Sequence, residues 1–180
     1  NLVRDMSSIG ICTSTGTENC FAHDNFLFRN AINLRIHLYN RKGINTDTRR
    51  REYYYRNFFY HLEKTEGYRS GHVFTHNDLT LPLKFKNPEE EPQIFFYHNT
   101  FAGGSAFSVI YYSTKYAEGD SFGMRRTVLL NNIFSFINRS TFTGYAKSWE
   151  APADLFEVTD YNWIVITKEL VGKKLPLWLG

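Results

Sequence analysis

The chain has 180 residues, 42% of them hydrophobic and 17% aromatic, and a formal net charge of +3. It is long enough for one domain with a substantial core and too apolar to stay disordered. The charge is too mild to imply nucleic acid, and no apolar run approaches the ~18 residues of a membrane span.

The sequence opens on Asn1 rather than Met and shows no leader peptide. It therefore reads as a processed product or as a segment of something longer. Cys12 and Cys20 flank a loop rich in Ser, Thr and Gly. A short disulfide there would fit an oxidising compartment, and two reduced thiols are the alternative. Arg49-Arg50-Arg51 is the one dense basic cluster, read first as a solvated loop or processing site rather than an anion site. Asn138-Arg139-Ser140 has the form of a glycosylation sequon just past a strand.

A phrase recurs between these features: a polar residue, then Asn or Asp, any residue, then a large apolar one. It reads His23-Asp24-Asn25-Phe26, Arg56-Asn57-Phe58-Phe59, His76-Asn77-Asp78-Leu79, His98-Asn99-Thr100-Phe101 and Asn131-Asn132-Ile133-Phe134. Asp160-Tyr161-Asn162-Trp163 is a degenerate sixth copy. Three residues before each Asn or Asp slot stands Phe21, Tyr54, Phe74, Phe96, Leu129 or Val158. The phrase ends at 26, 59, 79, 101, 134 and 163, in steps of 33, 20, 22, 33 and 29. Such a column marks a repeat architecture, and the irregular steps exclude helical arrays of constant unit length. With sixteen Phe and twelve Tyr, the local pattern is strand then turn. Asn and Asp suit that turn because they tolerate the left-handed backbone region, and stacked amides can bond along the column.

The coils Phe96-Tyr97-His98-Asn99-Thr100-Phe101 and Val128-Leu129-Leu130-Asn131-Asn132-Ile133-Phe134 resemble those of right-handed parallel β-helix proteins of the pectate-lyase-like superfamily. The likeness spans roughly residues 20 to 165. It implies an all-β solenoid of about six coils forming a single domain over 1–180, with 164–180 a possible C-terminal cap and further solenoid before Asn1. An antiparallel sandwich whose strands happen to end in Asn is the competing fold. The longer steps leave room for a second strand per coil, at 34–38 and 106–112. The expected core is the six residues before the slots together with Phe26, Phe59, Leu79, Phe101, Phe134 and Trp163.

Function follows from the resemblance, not from a motif. It implies a secreted protein that acts on or binds polysaccharide, as a lyase or glycosidase if it is an enzyme. The alternative is a non-catalytic structural or adhesion module whose partners are other chains of a larger assembly. No cofactor is expected, because nucleotide-binding, zinc and metal-helix patterns are missing from the sequence. Strand alternation places Cys20, Tyr53, Val73, Phe95, Val128 and Glu157 outward, and likewise Ala22, Tyr55, Thr75, Tyr97, Leu130 and Thr159. Tyr53, Tyr55, Phe95 and Tyr97 therefore form the expected ligand face, unless a loop at 41–52 or 82–92 covers it. His23, Arg56, His76, His98, Asn131 and Asp160 form a polar column before the turns; its three histidines could be acid–base groups or metal ligands, with turn residues as the plainer reading, His76 and His98 in adjacent copies as the catalytic candidates and no metal site expected. Arg125, Arg126, Lys147 and Glu150 are further catalytic candidates, as are Tyr60, His61 and Lys64. None stands in a motif that fixes a reaction.

Overall fold

Runs of three to seven residues rich in Val, Ile, Phe and Tyr, many of them followed within two residues by Asn, Asp or Gly, carry this chain through strands. The computed structural model describes residues 1–7, 9–14, 19–38, 51–60, 71–77, 93–103, 110–112, 126–137, 157–166 and 171. In chain order the first strands are β1 (Leu2–Arg4), β2 (Ile9–Ser14), β3 (Asn19–His23), β4 (Phe26–Phe28) and β5 (Ile32–Leu38). Then come β6 (Arg51–Tyr55), β7 (Phe58–Tyr60), β8 (Gly71–Asn77), β9 (Gln93–Tyr97) and β10 (Thr100–Ala102). The last are β11 (Ile110–Tyr112), β12 (Thr127–Leu130), β13 (Ile133–Ile137), β14 (Val158–Asp160) and β15 (Trp163–Ile166). Among the described residues there is no helix.

The strands collect into three sheets. Sheet A is β1-β4-β7-β10-β13-β15, sheet B is β2-β5-β8-β11, and sheet C is β3-β6-β9-β12-β14. From β1 to β13 the chain visits A, B and C in strict rotation. Each strand consequently pairs with strands one pass earlier or later, never with its sequence neighbour. All of these pairings are parallel. Ile94 to Tyr97 on β9 lie beside Thr127 to Leu130 on β12 in that sense, which removes the antiparallel sandwich.

All three sheets turn one side to a common core. It holds Leu27, Phe59, Phe101 and Phe134 from sheet A, Leu34 and Ile36 from sheet B, and Tyr54, Ile94, Phe96 and Leu129 from sheet C. Phe59 stacks on Phe101 at 4.8 Å and Phe101 on Phe134 at 5.1 Å. Phe96 meets Phe101 edge-on at 6.3 Å, joining sheets C and A. Each ring so buried contributes about 1.5–3 kcal/mol of transfer free energy.

The corner between sheets C and A takes two residues per pass. The first is left-handed: Asp24, Arg56, His98, Asn131 and Tyr161 have φ of 55°, 54°, 52°, 54° and 53°. The second is Asn, and these amides form a ladder. Nδ2 of Asn1, Asn25, Asn57, Asn99 and Asn132 each donates to Oδ1 of the next rung, ending at Asn162, over 3.0–3.1 Å. The backbone N–H of Asn25, Asn57, Asn99 and Asn132 donates to the same oxygens. Buried polar groups require partners, and the ladder supplies them without water.

This alignment corrects the expected column at both ends. Its members are Asn25 and Asn162, one residue later than Asp24 and Tyr161. A slip of one residue moves every side chain to the opposite face. Phe21 is accordingly 61% exposed and Trp163 70% exposed, and Phe26 and Val158 also face out. Leu27 takes the buried place expected of Phe26, and Ala22 pairs with Tyr54 in the inward row, with Thr159 beside Leu129. The interior copies hold: Tyr54, Phe96, Leu129, Phe59, Phe101 and Phe134 are buried. His76-Asn77 is not a corner but the end of β8 in sheet B, where Phe74 pairs with Arg35 and Tyr111. Leu79 lies outside the described residues. The additional strands are β5 and β11.

Cys12 and Cys20 do not form the expected disulfide. They belong to different sheets, and Cys12 is exposed on β2 while its neighbour Thr13 is buried. Cys20 sits in the row of buried Glu52. The two thiols therefore stand on opposite sides of their walls. Cys12 instead approaches the carbonyl of Thr13 at 3.7 Å. Of the expected cap at 164–180, only 164–166 and 171 are described, the first three within β15.

Candidate functional site

The outer face of sheet C is made by alternation. Glu52, Tyr54, Ile94 and Phe96 are buried, so Tyr53, Tyr55, Phe95 and Tyr97 between them stand outside, each partly exposed. Register lays Tyr53 beside Phe95 and Tyr55 beside Tyr97. From β3, Phe21 joins the first row and His23 the second. Phe21 stacks on Tyr53 at 4.9 Å and Tyr53 on Phe95 at 4.8 Å, both 5° from parallel. His23 stacks on Tyr55 at 4.7 Å and 10°. Past β9 the rows continue as Val128 and Val158, and as Leu130 and Asp160.

The stacking limits what the centre of this face can offer. Tyr53 is sandwiched between Phe21 and Phe95, so neither ring face is open to a sugar. At Tyr53 a ligand meets the ring edge and the phenolic hydroxyl. Burial, then the nearby Tyr53, raises the Tyr97 hydroxyl above its ordinary pKa, and it stays protonated as a hydrogen-bond donor.

A charged border follows the left-handed corner residues. Arg56 grips Asp24 with two bonds, Nε to Oδ1 at 2.7 Å and one guanidinium NH2 to Oδ2 at 2.6 Å. Its guanidinium lies 5.1 Å from the centre of the Tyr55 ring. His23 Nδ1 is 2.7 Å from Asp24 Oδ2. These bonds, that from Arg56 first and then that to His23, hold the Asp24 carboxyl well below the usual carboxylate range. The same pair raises Arg56. With its fork committed to Asp24, Arg56 is poorly placed to receive a second anion.

A second polar group lies inside. Thr13 Oγ1 donates to Glu52 Oε2 at 3.0 Å and lies 3.1 Å from the Tyr54 hydroxyl. Tyr54 also donates to Glu52 Oε2. All three residues are buried. Burial, followed by the Glu52 charge, pushes the Tyr54 hydroxyl well above its usual pKa. The cluster ties sheet B to sheet C and is closed to ligands.

The other candidates are scattered. His98 is an exposed corner residue whose N–H donates to the Leu130 carbonyl at 3.2 Å. His76 is in sheet B, beside His37, so the two histidines are not neighbours in one column. The Arg126 carbonyl accepts from Ile94 N–H at 3.3 Å. Tyr60 stacks with Phe28 at 5.6 Å outside sheet A. Arg125, Lys147, Glu150, His61, Lys64 and the sequon at Asn138 lie outside the described residues, as do 82–92 and most of 41–52. Phe21 was expected in the core, and His23 and Arg56 were expected only in the polar column before the turns; that Phe21 and His23 belong to the sheet C face, with Asp24 and Arg56 at its corner, was missed. Their signal was Asn followed two residues later by an apolar one, at Asn1-Val3, Asn25-Leu27, Asn57-Phe59, Asn99-Phe101, Asn132-Phe134 and Asn162-Ile164. Comparison with protein-family models, curated proteins and solved structures gives no match.

Proposed function

We propose that the three sheets are the walls of a right-handed parallel β-helix, and that this chain binds an extracellular polysaccharide on the outer face of sheet C. The rotation of the chain through A, B and C supports the solenoid. Right-handedness is the rule in about 98% of parallel crossovers. The observation that carries the binding reading is the double row Phe21-Tyr53-Phe95 and His23-Tyr55-Tyr97. Its hydroxyls and the His23 imidazole are suited to sugar hydroxyls, bordered by the Asp24–Arg56 pair. The test is retention on immobilised pectate, alginate and glycosaminoglycans, with release of unsaturated uronate followed by absorbance. Tyr55→Ser with Tyr97→Ser should abolish retention without lowering the melting temperature. Retention by none of these or any arrayed glycan refutes the reading, and uronate release turns the binder into a lyase. The separate cysteines lend nothing to an oxidising compartment, so the extracellular placement rests on the glycan alone.

A second reading, a structural module in a larger assembly, is favoured by the outer face of sheet A. Phe26, Phe58 and Ile133 stay exposed there, in register through Thr100. Contiguous apolar surface of this kind marks contact with another chain. Self-association or partner capture that Phe58→Ser abolishes, with no glycan bound, would decide for it.

A further inference from the structure

The imidazole of His23 is fixed in place by two neighbours. Its ring lies on Tyr55 at 4.7 Å and 10° from parallel, and its Nδ1 stands 2.7 Å from Asp24 Oδ2. Asp24 has no proton to give, because Arg56 and then His23 bond its charged form and hold it ionised. Nδ1 must therefore carry the hydrogen of that bond. In the neutral ring the lone pair then sits on Nε2, across the imidazole from Nδ1. Among the described residues no group bonds Nε2.

The surroundings of this ring are simple. β3 is the edge strand of sheet C and pairs with β6 alone. At the corner Asp24 and Arg56 are joined to each other, and the Asn1 nitrogen donates to the Asp24 carbonyl at 2.9 Å. Tyr55 and Tyr97 continue the row of His23, with the Tyr97 hydroxyl protonated. On β6, Arg51 shares the outer side two rows away, and Glu52 is buried inward. With His23 neutral, the charges of Asp24 and Arg56 offset one another. A proton gained at Nε2 leaves this border cationic, with an N–H that no protein group occupies. Histidine is the side chain that changes charge between pH 5 and 8. We propose that His23 Nε2 is a pH-operated anion reader, so that glycans bearing carboxylate or sulfate groups are held on sheet C more tightly as pH falls. The inference rests on the glycan reading and adds the charge of the sugar and the pH at which it is held. The His23 and Asp24 side chains are 44% and 51% exposed, so solvent screens the contact and keeps the gain to roughly two- to fivefold.

The test measures affinity for pectate and for a sulfated glycosaminoglycan between pH 5 and 8 at fixed salt, with fully methyl-esterified pectin as the uncharged comparison. Affinity for the anionic glycans should rise roughly two- to fivefold toward pH 5, and affinity for the ester should stay level. A rise with one anionic glycan alone names the anion. His23→Phe keeps a ring on Tyr55 without either nitrogen and should flatten the profile. Ring ¹⁵N chemical shifts, read without glycan at pH 8, should show Nδ1 protonated and Nε2 bare. The reverse tautomer overturns the proposal, as does an equal rise with the ester or a profile that His23→Phe leaves unchanged. Glycan retention that is level from pH 5 to 8 overturns this inference and leaves the glycan reading standing. Retention of no glycan at any pH refutes both.

Discussion

Asn57 and Asn99 are bound to one another twice: Oδ1 of Asn99 accepts both the backbone N–H and the Nδ2–H of Asn57, at 3.0 and 3.1 Å. The two residues are 42 positions apart in the chain. The same oxygen closes one corner and fixes the height of the next pass above it. Asn99 in turn donates to the Tyr54 carbonyl at 2.8 Å and to Asn132 Oδ1 at 3.1 Å.

Asn99→Ala should therefore be costly. It takes the partner from two donors of Asn57 and from the Tyr54 carbonyl in a buried corner, while Asn132 Oδ1 keeps the Asn99 backbone N–H, and each buried group left unsatisfied costs about 1–3 kcal/mol. Partial repair by neighbours or water leaves an expected loss of roughly 3 kcal/mol, read as a shift in denaturant midpoint. Asn162→Ala, at a part-buried rung, should lose about half as much. Equal, small effects at both positions would show that the ladder is not a stabilising element.

Phe101 and Phe58 separate the inner from the outer side of sheet A. Phe101→Ala empties the place between Phe59 and Phe134 and should cost about 3–5 kcal/mol. Phe58 faces outward, and Phe58→Ala should cost no more than about 1 kcal/mol, the value of a cross-strand contact. Equilibrium unfolding of the two variants checks the difference, and a reversed order would invert the assigned faces.

The Asp24 carboxyl should titrate below the usual range, because Arg56 and then His23 bond its charged form. A folded-state pKa below the unfolded value of about 3.9 means that the contribution is present above that pH and is lost as pH falls through the folded value. Both side chains are open to solvent, so the titration itself, followed by carboxyl NMR, is the readout. Arg56→Gln should return the midpoint toward the ordinary carboxylate value. An unchanged midpoint would show that the ion pair does not persist in solution.

Tyr54 governs the opposite limb. Its hydroxyl is held well above the ordinary value, by burial and then by Glu52. For a group raised in the folded state, stability is full below the unfolded pKa of about 10 and falls as pH rises past it. Tyr54→Phe removes that alkaline loss. At neutral pH it deprives Glu52 and Thr13 of a buried partner and should cost about 1–3 kcal/mol. The gap between wild type and variant should narrow above about pH 10. A gap independent of pH would place the Tyr54 hydroxyl in contact with water.

The middle of the repeat was legible because three independent signals coincide there. At Asn57, Asn99 and Asn132 a strand of alternating residues, a corner Asn and a following core aromatic leave one alignment. At the ends two polar or aromatic residues stand side by side, Asp24-Asn25 and Tyr161-Asn162, and either fits a corner by composition. The first of each pair takes the left-handed conformation and the second takes the ladder. Local chemistry does not separate them, since Asp and Asn both tolerate that backbone region. What decides is the partner amide 24 to 42 residues away.

By itself the sequence determined the all-β character, the corner Asn and the inward rings of the central passes, because alternation and turn preference are local properties of the chain. Only the tertiary structure decided the rest. Register between strands placed His76 beside His37 rather than near His98, and put the two cysteines on opposite sides of separate sheets. It also turned three of the four expected ligand rings, Tyr53, Tyr55 and Phe95, into members of stacked rows, because the spacing between parallel strands matches the stacking distance of aromatic rings. That match sets the ring edges outward, and no property of Tyr53 or Phe95 read alone contains it.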